Sequence, residues 1–412
     1  MKKLLISLLF TITSLPLIAQ PFLNAEKKIL WQRIKDNITH HGRVMASPSQ
    51  HHPDYYYHWV RDAALTMSLL KDNYAVTQDP TIENILKQYA LSAQIHQNQP
   101  AINNIDPLGE PKFYLDGSVY DKPWGRSQND GPALRAITLM QFAKLLPNTE
   151  SNIKFISQFL YQANLSNQSM GVIKKDLEYI AHHHQEFDFD LWEETYGQHF
   201  FTKMVQRQAL LMGAEFALQK NDPLAAQFYV TQANKIEKTL TEFFDHNTKT
   251  IKAHLDGSRG PNKTDNVDMS ILLGYIYGRP ITSIPKEQQQ QYLANSLTKL
   301  QKHFTDEYPI NQATEVVLFG RYPQDTYDGY ETNQLGNPWF ILSATMAEYY
   351  YLQSQPQKGD RILARLKSLA KDLHFHEQIN RNSGKEQGAY DLTWSYVATL
   401  HALNTRLKLY GE

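Results

Sequence analysis

The sequence predicts an all-α fold. Apolar residues recur with the 3.6-residue period of helices along most of the chain, and the alternating pattern of strands is scarce. Helix start signals support this reading, because Asp130 or Gly131 can cap a helix that has Pro132 at its first position, and Asn337 with Pro338 repeats the pattern. No low-complexity linker divides residues 20–412. We therefore predict one helical domain over that range.

The helical pattern breaks at Gly, Pro and charged clusters, and these breaks define each element in order. We predict helices at 22–39, 59–71, 79–97, 130–146, 151–165, 170–182, 198–219, 222–244, 264–277, 286–304, 337–354, 359–372 and 391–408.

Long connections recur after about every second helix, and Gly, Pro, Trp and Asp are concentrated in them. Long loops on a rigid helical scaffold usually carry function. This spacing is typical of a helical toroid with one decorated end, although another helical array is equally compatible because no internal repeat is evident. The connections are 46–58, 104–129, 185–197, 254–263, 320–338 and 374–390.

The N-terminal stretch MKKLLISLLFTITSLPLIAQ has two lysines, an apolar run from Leu4 to Leu9 and the small residue Ala19. This pattern predicts a signal peptide over residues 1–19, and hence a secreted or periplasmic protein. A retained membrane anchor is the alternative, but the apolar run is short for a spanning helix. With no cysteine in the chain, an exported protein would have no disulfide bonds.

Charge and aromatic content narrow the classes of partner. The net charge of −1 gives no electrostatic reason to expect a nucleic acid or, after signal cleavage, a membrane. The chain has 24 Tyr, 18 Phe and 6 Trp. Aromatic rings stack on sugars or bases, and without a basic excess sugars are favoured; a large, Tyr-rich core explains the composition equally well.

An unusual acidic cluster lies in FDFDLWEETYG, residues 187–197. Large rings exclude water, and loss of water raises the pKa of a carboxyl group, which lets one acid stay protonated while its neighbour is ionised. If Asp190 and Glu193 lie on a helical turn, their side chains face the same way, and Glu194 points aside. The cluster could then supply a general acid; a cap or a solvated face is the alternative.

Hydrolysis by an activated water requires a second carboxylate. HFHEQINRNSGKEQGAYDLTWSY offers Glu377, Glu386 and Asp391 in a glycine-containing loop. Spacing alone does not choose between Glu377 and Glu386.

Arg61 and Asp62 follow several aromatic residues in HHPDYYYHWVRDAALTM. Such a pair can bind vicinal hydroxyl groups of a sugar through charged hydrogen bonds, or it can fix a helix start. The segments DKPWGRSQNDGPALRA and FGRYPQDTY repeat the combination of ring, Arg and Asp.

Taken together, the motifs resemble the glucoamylases of glycoside hydrolase family 15. The matching pieces, in the family's order, are PDYYYHWVRDAAL, WGRSQNDGPALRA, DLWEETYGQHFFTKMVQRQAL, GRYPQDTY…GNPWF and EQ…DLTWSY. The resemblance implies an (α/α)6 barrel, a toroid of six helical hairpins. It also implies inverting exo-hydrolysis that releases β-D-glucose from starch, glycogen and maltooligosaccharides, without a cofactor or metal.

The resemblance also implies roles for individual residues. Glu193 is the general acid, and Glu377 is the general base because the family's EQ pair, counted back from Trp394, lands there. Asp190 is an alternative proton acceptor or an orienting residue. The implied substrate-binding residues are Tyr55, Trp59, Arg61, Asp62, Trp124, Leu191, Trp192, Glu194, Arg321, Tyr327, Trp339 and Trp394.

Other functions remain compatible with this pattern. A trehalase or an isomaltose- or dextran-directed hydrolase could use the same barrel, and a non-catalytic sugar-binding toroid belongs to a different class. A phosphorylase is disfavoured because it needs a basic pocket where Glu377 stands. The link from Tyr327 to Gly336 is longer than the resemblance implies. We expect a monomer that acts better on soluble maltooligosaccharides than on granular starch.

Overall fold

The computed structural model describes residues 21–163 and 170–411, so the predicted signal peptide lies outside the described residues. The described residues form fourteen α-helices. They are α1 (Asn24–Asp36), α2 (Val60–Thr77), α3 (Pro80–Gln97), α4 (Asp130–Leu145), α5 (Glu150–Phe155), α6 (Val172–His183), α7 (Phe200–Gln219), α8 (Pro223–Glu242), α9 (Ser270–Tyr277), α10 (Lys286–Glu307), α11 (Pro309–Gln312), α12 (Phe340–Leu352), α13 (Pro356–Leu369) and α14 (Thr393–Tyr410).

Six helices form a closed inner ring. Each contacts the next in the order α2, α4, α7, α9, α12 and α14, and α14 returns to α2. A second set packs outside them: α1 on α14, α3 on α2, α6 on α4, α8 on α7, α10 on α9 and α13 on α12. This is the (α/α)6 barrel that the resemblance implies.

Burial explains which helices lie inside. The inner helix α7 is buried on nearly all sides and carries residues such as Phe200, Val205 and Leu210 around its surface. The outer helix α10 buries a single stripe that includes Tyr292, Leu293 and Leu300. A helix that is apolar all round belongs in a core, and one with a single apolar stripe lies at the surface.

Four short antiparallel strand pairs shape the connections. They are β1 (His58–Trp59) with β2 (Lys112–Phe113), β3 (Asp188–Phe189) with β4 (Tyr196–Gly197), β5 (Phe244–Asp245) with β6 (Thr250–Ile251), and β7 (Gln378–Ile379) with β8 (Glu386–Gln387). All four pairs lie in segments that precede inner helices. The starts of the inner helices therefore meet at one elaborated end of the barrel.

Each predicted helix has a counterpart, with differences at the ends. The extent predicted at 151–165 is wrong, because α5 ends at Phe155, residues 156–160 form a π-helix and Tyr161 is extended. The start predicted at 264 is wrong: α9 begins at Ser270, because Asp265 and Asn266 have φ angles of 57° and 50°, in the left-handed region. The short helix α11 was not predicted. No helix in the part of the chain that the structure describes has both the length and the apolar content to cross a bilayer.

Candidate active site

A pocket of about 360 Å³ opens at the elaborated end of the barrel. Its walls come from the connections before α2, α4, α7, α12 and α14 and from the first residues of α2, α12 and α14. Beneath Arg61 and Asp62, the next residues of α2, Ala63 and Ala64, are fully buried in the barrel core. The pocket is thus closed at its base.

The pocket brings together nearly all of the residues predicted for the site. Both candidate carboxylates, Glu193 and Glu377, line it. The predicted binding residues also line it: Tyr55, Trp59, Arg61, Asp62, Trp124, Leu191, Trp192, Glu194, Arg321, Tyr327, Trp339 and Trp394.

Asp190 is the exception, and its position argues against the alternative in which it accepts a proton from the attacking water. Its side chain is fully buried and does not line the pocket. Its Oδ1 accepts hydrogen bonds from the backbone N–H groups of Glu194 and Thr195, at 2.9 and 3.0 Å. The carboxylate therefore holds the turn that carries Glu193, which agrees with an orienting role.

The other acids of the Glu377 segment also lie outside the pocket. Glu386 accepts a hydrogen bond from the Lys371 backbone N–H at 2.9 Å. Asp391 accepts one from His374 Nδ1 at 2.8 Å. Both carboxylates have structural partners, so the geometry favours Glu377 over Glu386, a choice that spacing alone left open.

Glu193 lies on a hairpin turn rather than on the helical turn considered from the sequence. β3 and β4 enclose residues 190–195, and Glu193 has a φ of 66°, rare for a residue with a side chain. Its Oε1 accepts hydrogen bonds from Trp59 Nε1 and Gln128 Nε2, both at 2.8 Å. Among the described residues Oε2 has no hydrogen-bond partner, which leaves this oxygen available to a bound molecule.

A buried charge network lies behind this hairpin. Lys263 Nζ donates to Asp190 Oδ2 at 3.0 Å and to Asp268 Oδ2 at 2.5 Å. Asp268 also accepts a hydrogen bond from Trp192 Nε1, at 2.9 Å. Burial alone would raise the pKa of Asp190, but the charge of Lys263 holds that pKa well below its ordinary value. The network therefore fixes both the turn before Glu193 and the Trp192 ring.

The same cluster is the place where the described residues come closest to a metal site. Asp190, His254 and Asp268 could offer ligand atoms within 4.8 Å of one another. The ammonium group of Lys263 already bonds both carboxylates. The chain thus supplies its own cation at this position.

Glu377 lies on the connection before α14, beneath two tyrosines. Tyr55 Oη donates to its Oε1 at 2.9 Å, and Tyr327 Oη to its Oε2 at 3.3 Å. Burial raises the pKa of Glu377 to about 8, against the lowering effect of these hydrogen bonds and of Arg321. The general-base role that the resemblance implies requires the ionised form, and burial opposes that state.

The pocket floor carries an incompletely paired Arg and Asp. Arg61 NH1 donates to Gln128 Oε1 and to Asp130 Oδ2, both at 3.0 Å. Arg61 Nε and Asp62 Oδ2 lie 3.5 Å apart, and neither has a hydrogen-bond partner among the described residues. Buried polar atoms are normally paired. These two atoms are enclosed and face each other, but both residues line the pocket, so their other charged atoms are placed to bind a polar ligand.

Arg321 organises the opposite wall. It donates to Asp325 Oδ1 at 2.6 Å and to Glu194 Oε1 at 2.8 Å. Tyr322 Oη donates to Glu194 Oε2 at 2.6 Å. Burial raises the pKa of Glu194, and Arg321 opposes that rise. Glu194 therefore presents a fixed acceptor to the pocket.

Lys112 supports the aromatic wall from behind. It pairs with Trp59 in the β1–β2 ladder, and its Nζ lies 4.5 Å from the centroid of that ring and 3.2 Å from the centroid of Trp124. Cations bind aromatic faces through the ring quadrupole. Burial lowers the pKa of Lys112 to about 8.

Several of these residues were not predicted for the site from the sequence. Gln128, Asp130, Tyr322 and Asp325 stand inside quoted motifs, so the motifs themselves were a signal for them. Lys263 ends a connection flagged as long, and Lys112 lies within another. Asp268 had no local signal.

Comparisons with known proteins agree with this geometry. A family model described as "Glycosyl hydrolases family 15" matches residues 27–370. The chain is 33% identical to the glucoamylase of Blastobotrys adeninivorans, over 90% of this chain and 68% of that protein. It is also 33% identical to the probable glucoamylase of Schizosaccharomyces pombe, over 90% and 86%. The solved glucoamylase of Saccharomycopsis fibuligera superposes with a TM-score of 0.81 at 27% identity, covering 94% of this chain and 95% of that chain.

Proposed function

Because the chain belongs to glycosyl hydrolase family 15, we propose that it is an exo-acting glucoamylase that cleaves α-1,4-glucans from their non-reducing ends. As a member of this family it is a glycoside hydrolase. The observation that carries the proposal is that Glu193 and Glu377 line one pocket that is closed at its base. A closed pocket accepts a chain end and not the middle of a chain, which supports exo-action.

The two carboxylates suit acid and base roles on one bond. Glu193 gives its proton to the glycosidic oxygen as the bond from that oxygen to the anomeric carbon breaks. Glu377 accepts a proton from the water whose oxygen bonds to the same carbon from the opposite face. Inverting hydrolases use two carboxyl groups separated by enough space for this water. The product is therefore β-D-glucose, and the shortened chain keeps the proton from Glu193.

Contacts around Glu193 and Glu377 support their assignment as acid and base. Trp59 bonds Glu193 and Tyr55 bonds Glu377, and the centroids of these two rings are 5.5 Å apart. The carboxyl groups are thus held on either side of a pair of packed rings. Water activation requires the charged form of Glu377; the hydrogen bonds from Tyr55 and Tyr327 favour that form, whereas burial opposes it and raises the pKa to about 8.

The remaining walls suit a glucosyl chain. Arg61 and Asp62 bind the hydroxyl groups of the terminal glucose, and Tyr55, Trp59 and Trp394 enclose that sugar. Arg321 and Glu194 bind hydroxyl groups nearer the mouth. The leaving-side sugars contact Trp124, Leu191, Trp192, Tyr327 and Trp339.

The configuration of the first product tests the proposal. Proton NMR of fresh maltotriose digests should show β-glucose first, followed by α-glucose as the sugar equilibrates. Early α-glucose would rule out inversion. Faster cleavage of trehalose or isomaltose than of maltotriose would move the substrate class to the other reactions considered.

We also infer export of a monomeric enzyme. The support is the apolar leader, since a relative from Saccharomyces cerevisiae is an intracellular, sporulation-specific glucoamylase and membership alone does not decide location. The mass of the mature protein outside the cytoplasm should correspond to a chain that begins at Gln20. A full-length chain confined to the cytoplasm would refute export.

A further inference from the structure

The hairpin that carries Glu193 has its polar and apolar residues on unexpected faces. Alternate residues of a strand point to opposite faces. In FDFD, Asp188 and Asp190 are 1% and 0% exposed, whereas Phe187 is 41% exposed. Tyr196, paired directly with Phe189 across the hairpin, is 37% exposed. A buried acid and an exposed large ring each call for a specific reason.

The buried acids have their reasons in the structure. Asp188 Oδ2 accepts a hydrogen bond from the Asn129 backbone N–H at 2.9 Å, and Asp190 is held by Lys263. These contacts attach the inner face of the hairpin to the barrel. They do not account for the aromatic residues on its outer face.

The two exposed rings, Phe187 and Tyr196, form one cluster with the partly buried ring of Phe189. The centroids of Phe189 and Tyr196 are 5.3 Å apart, and those of Phe187 and Tyr196 are 6.0 Å apart. Tyr196 is also fixed by two backbone hydrogen bonds to Arg259, each 2.7 Å long. An exposed apolar patch of fixed shape marks a binding surface more often than chance.

This cluster is continuous with the mouth of the pocket. Trp124 and Gly125 line the pocket, and Trp124 is 37% exposed. A Cβ added to Gly125 would lie 3.1 Å from the Phe189 ring, so this ring covers the glycine backbone. Aromatic surface therefore extends outward from Trp124 through Phe189 and Tyr196 to Phe187.

We propose that Phe187, Phe189 and Tyr196 form an aromatic platform that binds the distal glucosyl residues of a long α-glucan chain. The proposal rests on the proposed function, because it needs a chain that enters the pocket by its end. Rings without charge suit the C–H faces of sugars, which are apolar and uncharged. Because the platform is fixed before binding, its side chains lose little conformational entropy when a chain lies on it.

Chain-length dependence tests the platform. For the parent and for the Phe187→Ala, Tyr196→Ala double variant, kcat/KM is measured on maltose and on maltoheptaose by glucose release. We expect the ratio of maltoheptaose to maltose values to fall about five-fold, mainly through KM, because contacts remote from the reacting bond are made equally in ground and transition states.

Two controls make the test specific. The variant with Phe187→Tyr and Tyr196→Phe keeps both rings and should keep the parent ratio. Leu224→Ala removes an apolar residue that is 73% exposed at the start of α8, and it should also leave the ratio unchanged. Retardation in native gels that contain amylopectin, with Glu193→Gln present in every protein, gives a readout without catalysis, and only the Phe187→Ala, Tyr196→Ala double variant should lose it.

Other outcomes would overturn the platform. An equal fall on both substrates would mean that the rings only support the Glu193 hairpin. An unchanged ratio accompanied by a change in sedimentation would make the rings a contact between copies of the chain. If the parent releases no glucose from maltose, the proposed function itself fails, which differs from an active enzyme with an unchanged ratio.

Discussion

Glu193 adopts a backbone conformation that few residues with a side chain adopt. Its φ of 66° lies in the left-handed region, which costs about 1–3 kcal/mol where the surroundings enforce it. The backbone hydrogen bonds from Glu193 N to Asp190 O, and from Asp190 N to Thr195 O, both 2.8 Å, impose this conformation. The strain therefore directs one side chain into the pocket, where Trp59 and Gln128 receive it.

The effect of amide substitution on turnover should distinguish the two candidate catalytic carboxylates, Glu193 and Glu377, from nearby acids outside the pocket. Glu193→Gln and Glu377→Gln should each lower kcat on maltotriose by about 10²–10⁴-fold, because each removes a proton-transfer group. Binding of maltose, measured by calorimetry, should persist in both.

Glu386→Gln is the matched control for these variants, since this residue lies in the same connection but outside the pocket. It should keep nearly the parent kcat. Near-parent turnover of Glu193→Gln would refute the acid assignment.

Glu377 should make stability depend on pH. Its pKa is about 8 in the folded protein, against 4.5 as the ordinary value. Between these pH values the folded protein holds a proton that the unfolded chain has released, so the stabilising contribution is complete below about pH 4.5 and is lost as the pH rises to about 8. Glu377→Gln removes this loss. As the pH rises from 4.5 to 8, the free energy of unfolding of the variant should therefore increase relative to that of the parent by a few kcal/mol, on the order of one per unit of pKa shift.

Thermal unfolding of both proteins across that pH range measures the effect. Their difference isolates Glu377 from the other groups that titrate. A difference in Tm that does not change with pH would show that burial does not hold the proton on Glu377.

At the scale of elements, the connection before α9 supports the one before α7. Lys263 and Asp268 come from the first connection, and Asp190 and Trp192 from the second. The Lys263 ammonium bonds both buried carboxylates, and Trp192 donates to one of them, Asp268. The rigidity of the Glu193 hairpin therefore depends on a segment that does not itself line the pocket.

Lys263→Met should show that the Glu193 hairpin depends on the connection before α9. The substitution leaves two buried carboxylates unpaired, which costs about 3–5 kcal/mol. We expect a lower Tm and a lower kcat, measured on maltotriose, because the hairpin loses its support. Lys263→Arg, which keeps the charge, should restore part of both.

Lys299→Met is the comparison for this substitution. Lys299 pairs with Asp265 at 3.6 Å, with a side chain that is 33% exposed, so its loss should cost less than about 1 kcal/mol. If Lys263→Met and Lys299→Met behave alike, Lys263 has no special role in holding the hairpin.

For the molecule as a whole, periodicity predicted the helices and the motif order predicted the barrel. Helical periodicity is a local property, so all thirteen predicted helices appear near their places. The turn that carries Glu193 was considered as helical from the sequence, but it is a hairpin turn, because pairing between β3 and β4 decides its shape and local spacing does not. Lys263 and Asp190 are 73 residues apart in sequence, and their contact depends on how two connections fold together. Such pairings carry no local pattern.

The closed base of the pocket constrains the order in which product leaves and substrate re-enters. In the proposed reaction, the glucose freed by a cut lies deepest, and the remaining polymer stands between it and solvent. The polymer must withdraw before the sugar can diffuse out, because Ala63 and Ala64 leave no rear exit. Consecutive cuts of one strand thus require repeated re-entry, and an exterior surface that retains the strand during withdrawal would shorten the search for its new terminus.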